Sequence, residues 1–163
     1  MQSRITNPIL SVPGALAAFQ QFAASAHTAG VPDTTLEMVH LRASQINGCS
    51  VCVDIHTRAL AHIGESPERI NTVAAWREAP YFTDAERAAL ALAEAATRAA
   101  DRPGPVADEV WDEAARHYDE RQLAALVISI AAINAVNRVN ASTRQIAGEW
   151  VAQLVEGAYS KAA

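Results

Sequence analysis

With 163 residues, half of them hydrophobic and 19% charged, the chain is long enough to build one domain around its own core and needs no staples to fold. A formal net charge of −5, with 13 Lys and Arg against 18 Asp and Glu and no basic cluster, excludes a nucleic-acid surface. Alanine dominates the apolar share and only 6% of residues are aromatic, which favours helix over strand.

Taken in order, the chain reads as helix after helix with Gly and Pro at the joints. Pro13 and Gly14 open a segment from Ala15 to about Ala29, where Leu16, Phe19, Phe22 and Ala23 recur at helical spacing. Gly30 and Pro32 stop it. Asp33 or Thr34 is expected to cap a second helix to about Ile46, with Leu36, Val39 and Ala43 on one face. Asn47-Gly48 breaks the chain before a third helix from about Cys49 to near Gly64. Ser66-Pro67 starts a short helix, and the segment after it runs through Trp76 and stops before Pro80. Thr83-Asp84-Ala85-Glu86 has the spacing of a capping box and launches a helix to about Ala100. After the loop at Pro103-Gly104-Pro105, helices are expected over Val106–His117, over Glu120–Gly148 with a break near Asn134–Asn140, and from Glu149 to about Tyr159.

No apolar run reaches the length of a membrane span, the longest, Leu123 to Val136, being interrupted by Ser129 and Asn134. Nor does an apolar stretch with a cleavage site follow Arg4. A cytoplasmic location is therefore expected, where a passive structural disulfide is disfavoured and a Cys-x-x-Cys pair points to redox or metal chemistry.

The chemistry concentrates in Asn47-Gly48-Cys49-Ser50-Val51-Cys52-Val53-Asp54-Ile55-His56. If Cys49 starts a helix, Cys52 lies one turn on and His56 a further four residues along the same face. The two sulfurs are then close enough for a disulfide, subject to geometry. Unpaired N–H groups and the partial positive charge of the helix start favour thiolate, the form that attacks peroxides and disulfides. His56 can handle the proton, and Glu37, on the preceding helix, can orient the imidazole if the two helices pack antiparallel.

These residues resemble a known family. Glu37, eleven residues, Cys49, two residues, Cys52, three residues and His56 match the alkylhydroperoxidase D (AhpD)-like members of the carboxymuconolactone decarboxylase superfamily. Leu41 to Cys49, Tyr81-Phe82-Thr83 with Glu86-Arg87, and Ile133-Asn134-Ala135 with Asn137-Arg138 look similar too, and the likeness spans roughly residues 7–146 of a single domain covering 1–163. The resemblance implies an all-α helical bundle, assembled as a trimer or hexamer, with thiol peroxidase or disulfide-reductase activity and no flavin, haem or metal cofactor. By position, Cys52 would be the peroxidatic thiolate and Cys49 the resolving thiol. His56 would activate Cys52 with Glu37 behind it, and a lipoyl-bearing or thioredoxin-like dithiol would reduce the disulfide. Some members carry a histidine between the two cysteines; here Ser50 and Val51 stand there.

Other readings stand beside this one. Cys49 and Cys52 could be inert core residues. Cys49, Cys52, His56 and Glu37 could instead ligate zinc, in a structural or redox-sensing module. Superfamily members that decarboxylate a lactone work without the two cysteines, which this chain keeps. His40 is read as a surface or cap residue, His62 as structural, and His27 and His117 as surface residues. Asn134, Asn137, Arg138 and Asn140 suggest a buried hydrogen-bond network or a subunit contact, and Trp76, Trp111 and Trp150 are assigned to core or interface.

Overall fold

In the computed structural model, which describes residues 2–101 and 103–159, the Gly and Pro punctuation resolves into eight α-helices and no strand among the described residues. They are α1 (Ala15–Ser25), α2 (Asp33–Asn47), α3 (Ser50–His62), α4 (Pro67–Thr72), α5 (Asp84–Thr97), α6 (Asp108–Ala115), α7 (Glu120–Ser142) and α8 (Glu149–Tyr159). Short 3-10 turns continue α1 through Ala29, α4 through Ala75 and α5 through Asp101. The expected domain limits at 1 and 163 lie outside the described residues.

The helix starts follow local chemistry. Thr83 and Glu86 form the expected capping box on α5, and Asp119 with Gln122 forms a second on α7. Ser66 caps α4, with Pro67 at its first position. Neither Asp33 nor Thr34 caps α2. Pro32 takes that place without a side-chain bond, and the Asp33 carboxylate pairs with His27 at 2.8 Å. The expected break near Asn134–Asn140 is absent too: α7 runs unbroken to Ser142, because those asparagines find partners on neighbouring helices, and the one bond Asn134 makes within α7, to the Ile130 carbonyl, does not interrupt it.

By length and composition, α7 is apolar enough to cross a membrane, although the sequence reading found no such run. Its placement is that of a core helix. Leu123, Leu126 and Ile130 pack with Leu36 and Val39 of α2 and with Ala88, Ala89 and Leu92 of α5, and its Ser129, Asn134 and Asn137 are buried with polar partners.

Helix α2 is the common wall of three apolar clusters. Leu36 and Val39 join the cluster just described; Met38 and Leu41 pack with Leu60, Trp76, Phe82 and Leu90; Ala43 packs with the two cysteines, Val51, Ile133, Val151 and Val155. Ion pairs lock the outer side. Arg69 bonds Glu65, Glu86 and the Tyr81 carbonyl, and Arg87 donates to the carbonyls of Trp76, Ala79 and Phe82. This explains why Tyr81-Phe82-Thr83 and Glu86-Arg87 occur together: they form one clamp.

Glu94, 5% exposed, is the most heavily paired carboxylate described. Arg42 reaches it at 2.6 Å, Arg77 at 2.6 Å, Arg98 at 3.2 Å and the Trp76 indole N–H at 3.0 Å. Burial pushes its carboxyl up, but the hydrogen bonds from Arg77, Trp76 and Arg42 outweigh this and hold it at about 2. Arg42 makes the pair best shielded from water, since Arg77 and Arg98 are about half exposed and their pairs are screened. Glu94→Gln, which leaves Arg42 without its counter-charge, should lose about 3 kcal/mol in urea unfolding at pH 7. The unfolded carboxyl, near 4.5, takes up its proton before the folded one. Wild-type stability should thus fall as pH drops from about 4.5 toward 2, and the variant should show a shallower acid slope.

Candidate functional site

The site begins at a turn. Gly48, at φ 66°, closes α2 in the left-handed conformation, with its N–H directed to Gln45 and Ser44. A side chain would be strained there, and Asn47-Gly48 lets α3 fold back along α2. Cys49 then sits at the N-cap of α3 in extended backbone, its sulfur accepting the Cys52 N–H at 3.3 Å. The Cys49 and Cys52 Cα atoms are 5.4 Å apart and the two sulfurs form a disulfide. Each residue is only 2% exposed.

One turn further along α3, the His56 Nδ1 lies 2.7 Å from Glu37 Oε2. Burial pushes the Glu37 carboxyl up, but the charge of His56 and the polar contacts with His40 and His56 outweigh it, so the group is held far below the usual carboxylate range. An ionised carboxylate only accepts, so Nδ1 donates and the other His56 nitrogen is left for proton exchange. The four residues read from the sequence are therefore placed on facing turns of α2 and α3, with Glu37 against His56 and Cys49 against Cys52.

Two further residues join them. His40, expected at the surface, is largely covered, with its side chain 12% exposed: its Nε2 is 2.6 Å from Ser129 Oγ, and its ring lies 4.8 Å from that of His56. Burial holds the His40 imidazole below its ordinary range, in the neutral form. Its three-residue spacing from Glu37 was the available signal, since that spacing puts both on one helical face. Asn140, near the end of α7, donates to Cys52 Sγ at 3.3 Å. Nothing local in the sequence could have paired residues 88 apart.

Asn134 and Asn137 form the buried network expected of them. Asn47 donates to both at 2.9 Å, Asn137 donates to Ser44, and Asn134 donates to Thr97 and to the Ile130 carbonyl. Arg138 is exposed. Trp76 is a core residue, whereas Trp111 and Trp150 are 40% and 46% exposed. His27 and His117 are surface residues with carboxylate neighbours, Asp33 and Glu113. His62 is exposed in the last turn of α3.

The two sulfurs border different spaces. Cys52 lines a cavity of about 220 Å³ with Glu37, His40, His56 and Asn140, walled by Phe19, Ala23, Ile55, Ala132, Ile133 and Val136. An apolar cavity of about 350 Å³, reaching Leu10, Trp150 and Leu154, shares Phe19, Ile55, Val136 and Asn140 with it. Cys49 borders another cleft of about 520 Å³ with Gly48, Ser50, Ala141, Arg144 and Gln145, and Asn140 lines both this cleft and the Cys52 cavity. In this disulfide form neither cysteine offers a thiolate to zinc, which removes two of the four ligands considered from the sequence. Chemically, the arrangement offers a two-electron dithiol couple, a tautomer-locked imidazole and a mostly apolar chamber at one sulfur.

Comparison with known proteins follows the same line. The carboxymuconolactone decarboxylase family pattern matches residues 13–95. The uncharacterized protein YdfG of Bacillus subtilis (strain 168) is 39% identical over 107 residues, 66% of this chain and 71% of that protein. Among solved structures, ATU0492 of Agrobacterium tumefaciens, a protein of unknown function linked by its description to antioxidant defence as AhpD, superposes with a TM-score of 0.83 at 31% identity, over 90% of this chain and 99% of that one. The debrominase Bmp8 shares the fold, with a TM-score of 0.77 at 21% identity, over 91% of this chain and 78% of that one.

Proposed function

The chain belongs to the carboxymuconolactone decarboxylase family, and from that premise we propose that it is an AhpD-like dithiol peroxidase that reduces organic hydroperoxides. One observation carries the reading: a Cys49–Cys52 disulfide whose Cys52 end shares one cavity with a Glu37–His56 pair. The Cys52 thiolate attacks the hydroperoxide and breaks its O–O bond. Sulfenic acid forms on Cys52, and the alkoxide leaves as alcohol with a proton delivered through His56. Cys49 then attacks the sulfenic sulfur, water leaves, and the disulfide closes. Two electrons pass from two thiols to one hydroperoxide. Asn140, donating to Cys52 Sγ, stabilises negative charge on that sulfur.

The apolar walls support an alkyl hydroperoxide over hydrogen peroxide, since burial of an alkyl chain contributes about 0.8 kcal/mol per methylene. Restoring the thiols needs an external dithiol. With both cysteines 2% exposed, a slender lipoyl arm suits the Cys49 cleft better than a folded thioredoxin-like face. A reducing compartment such as the cytoplasm would supply such donors. Leu10, Val12, Trp150 and Leu154, each 46% exposed or more, support a homo-oligomer, a trimer or hexamer, that covers them.

Thiol titration tests the reading. Fully reduced protein should show two free thiols, and one equivalent of cumene hydroperoxide should remove both and yield one equivalent of alcohol. Thiols that survive excess hydroperoxide would end the proposal.

A further inference from the structure

Glu37, His40 and His56 bring three ligand-type side chains together, with donor atoms all within 4.8 Å of one another. Proton handling at Cys52 uses Glu37 and His56, and His40 has no part in it. Yet the Nδ1 of His40 is buried with no hydrogen-bond partner among the described residues, a condition that native interiors rarely leave unexplained. Glu37 Oε1, at 3.8 Å, is too far to bond it and near enough to share a ligand with it. At its other end the ring meets Ser129 Oγ at 2.6 Å. With Nε2–H donating to that hydroxyl, Nδ1 keeps its lone pair and turns it toward the carboxylate. A ligating histidine held through its second nitrogen is the arrangement that orients rings in metal sites.

We propose that the reduced protein binds one zinc-type dication at Glu37, His40 and His56, with the Cys52 thiolate of the same cavity as fourth ligand. One oxygen, two nitrogens and one sulfur suit tetrahedral zinc, and the two anionic ligands cancel the charge of the ion inside an otherwise apolar chamber. This set differs from the one suggested by the sequence, because His40 replaces Cys49. While the ion is bound, the thiolate lone pair is committed to it and attack on a hydroperoxide is blocked. Only the metal-free fraction is oxidised, two thiols passing two protons and two electrons to a hydroperoxide that leaves as alcohol and water; the resulting disulfide lacks the fourth ligand, so oxidation draws the equilibrium toward free ion. The ligand cluster stands on its own geometry; the coupling to oxidation rests on the dithiol peroxidase reading.

Calorimetric titration of Zn²⁺ into the full chain decides the matter, in its dithiol form, its disulfide form and as His40→Asn. The reduced chain should bind one equivalent, and affinity should fall at least about 10-fold in both the disulfide form and the variant. Co²⁺ added to the reduced protein should give a thiolate-to-metal absorption band that Cys52→Ser lacks. Should His40→Asn fail to fold, Ser129→Ala carries the same test, since it keeps the ring and removes only its tautomer lock; it should weaken binding about 10-fold. Absence of stoichiometric binding, or wild-type affinity in the His40 or Ser129 variant, overturns the site. Equal affinity in the two redox forms removes Cys52 from the ligand set and overturns the proposal as stated. A protein that binds zinc as described but never consumes hydroperoxide keeps the site and loses the peroxidase reading.

Discussion

Cys52→Ser should lower hydroperoxide turnover by about 10³-fold or more, because a serine hydroxyl at this position is not ionised and leaves no nucleophile in the chamber. The geometry makes the two cysteines unequal. Cys52 shares its cavity with Glu37 and His56, whereas the cleft that Cys49 borders at Arg144 is lined by neither of them, Asn140 being common to both. The Cys49→Ser protein should therefore still react once with hydroperoxide and stop at a sulfenic acid, trapped by dimedone and read as a single adduct by mass spectrometry. A Cys52→Ser protein that still turns over, or a dimedone adduct found on Cys49 of the wild type, would reverse the assignment of the two sulfurs.

Glu37→Gln should reduce kcat/KM by about 10²-fold or more while leaving KM for the hydroperoxide nearly unchanged. The carboxylate is a positioning residue: it meets His56 Nδ1 at 2.7 Å and acts on substrate only through that ring. A glutamine amide can donate as well as accept, so the ring is free to take the tautomer with its hydrogen on the wrong nitrogen. The pH profile separates this from a loss of packing. In the wild type Glu37 is ionised at every pH above the ordinary carboxyl value of 4.5, and so adds no acid limb of its own there. The part of stability that Glu37 contributes is present above that value and lost as pH falls below it. A Glu37→Gln enzyme with unaltered kcat would show that His56 orients itself by other means.

Helix content was legible in the sequence because its signals are local: the capping box at Thr83 and Glu86, the Ser66-Pro67 start, and the stop at Asn47-Gly48 each act within one turn. Three of the four expected site residues fall within the eight positions from the N-cap of α3 to His56, and one turn at Gly48 accounts for the fourth. What escaped was non-local. Asp33 caps nothing because His27 claims its carboxylate, and His40 turns inward because Ser129 of α7 stands opposite. Asn140 meets Cys52 only because α7 continues unbroken past the asparagines that looked like an interruption. Whether a polar residue in an apolar helix breaks it depends on its distant partner, and periodicity does not record partners.

The face where α2 meets α7 carries His40–Ser129, Asn47–Asn134, Asn47–Asn137 and Ser44–Asn137. Had that seam been built from aliphatic side chains alone, the helices could slide or rotate past one another at small expense, since dispersion contacts have no direction. Hydrogen bonds do, and a slip by even one residue would strand several donors and acceptors away from water at about 1–3 kcal/mol each. The seam thus works as a set of locating pins, and what it ultimately holds in place is the amide of Asn140 over the sulfur of Cys52.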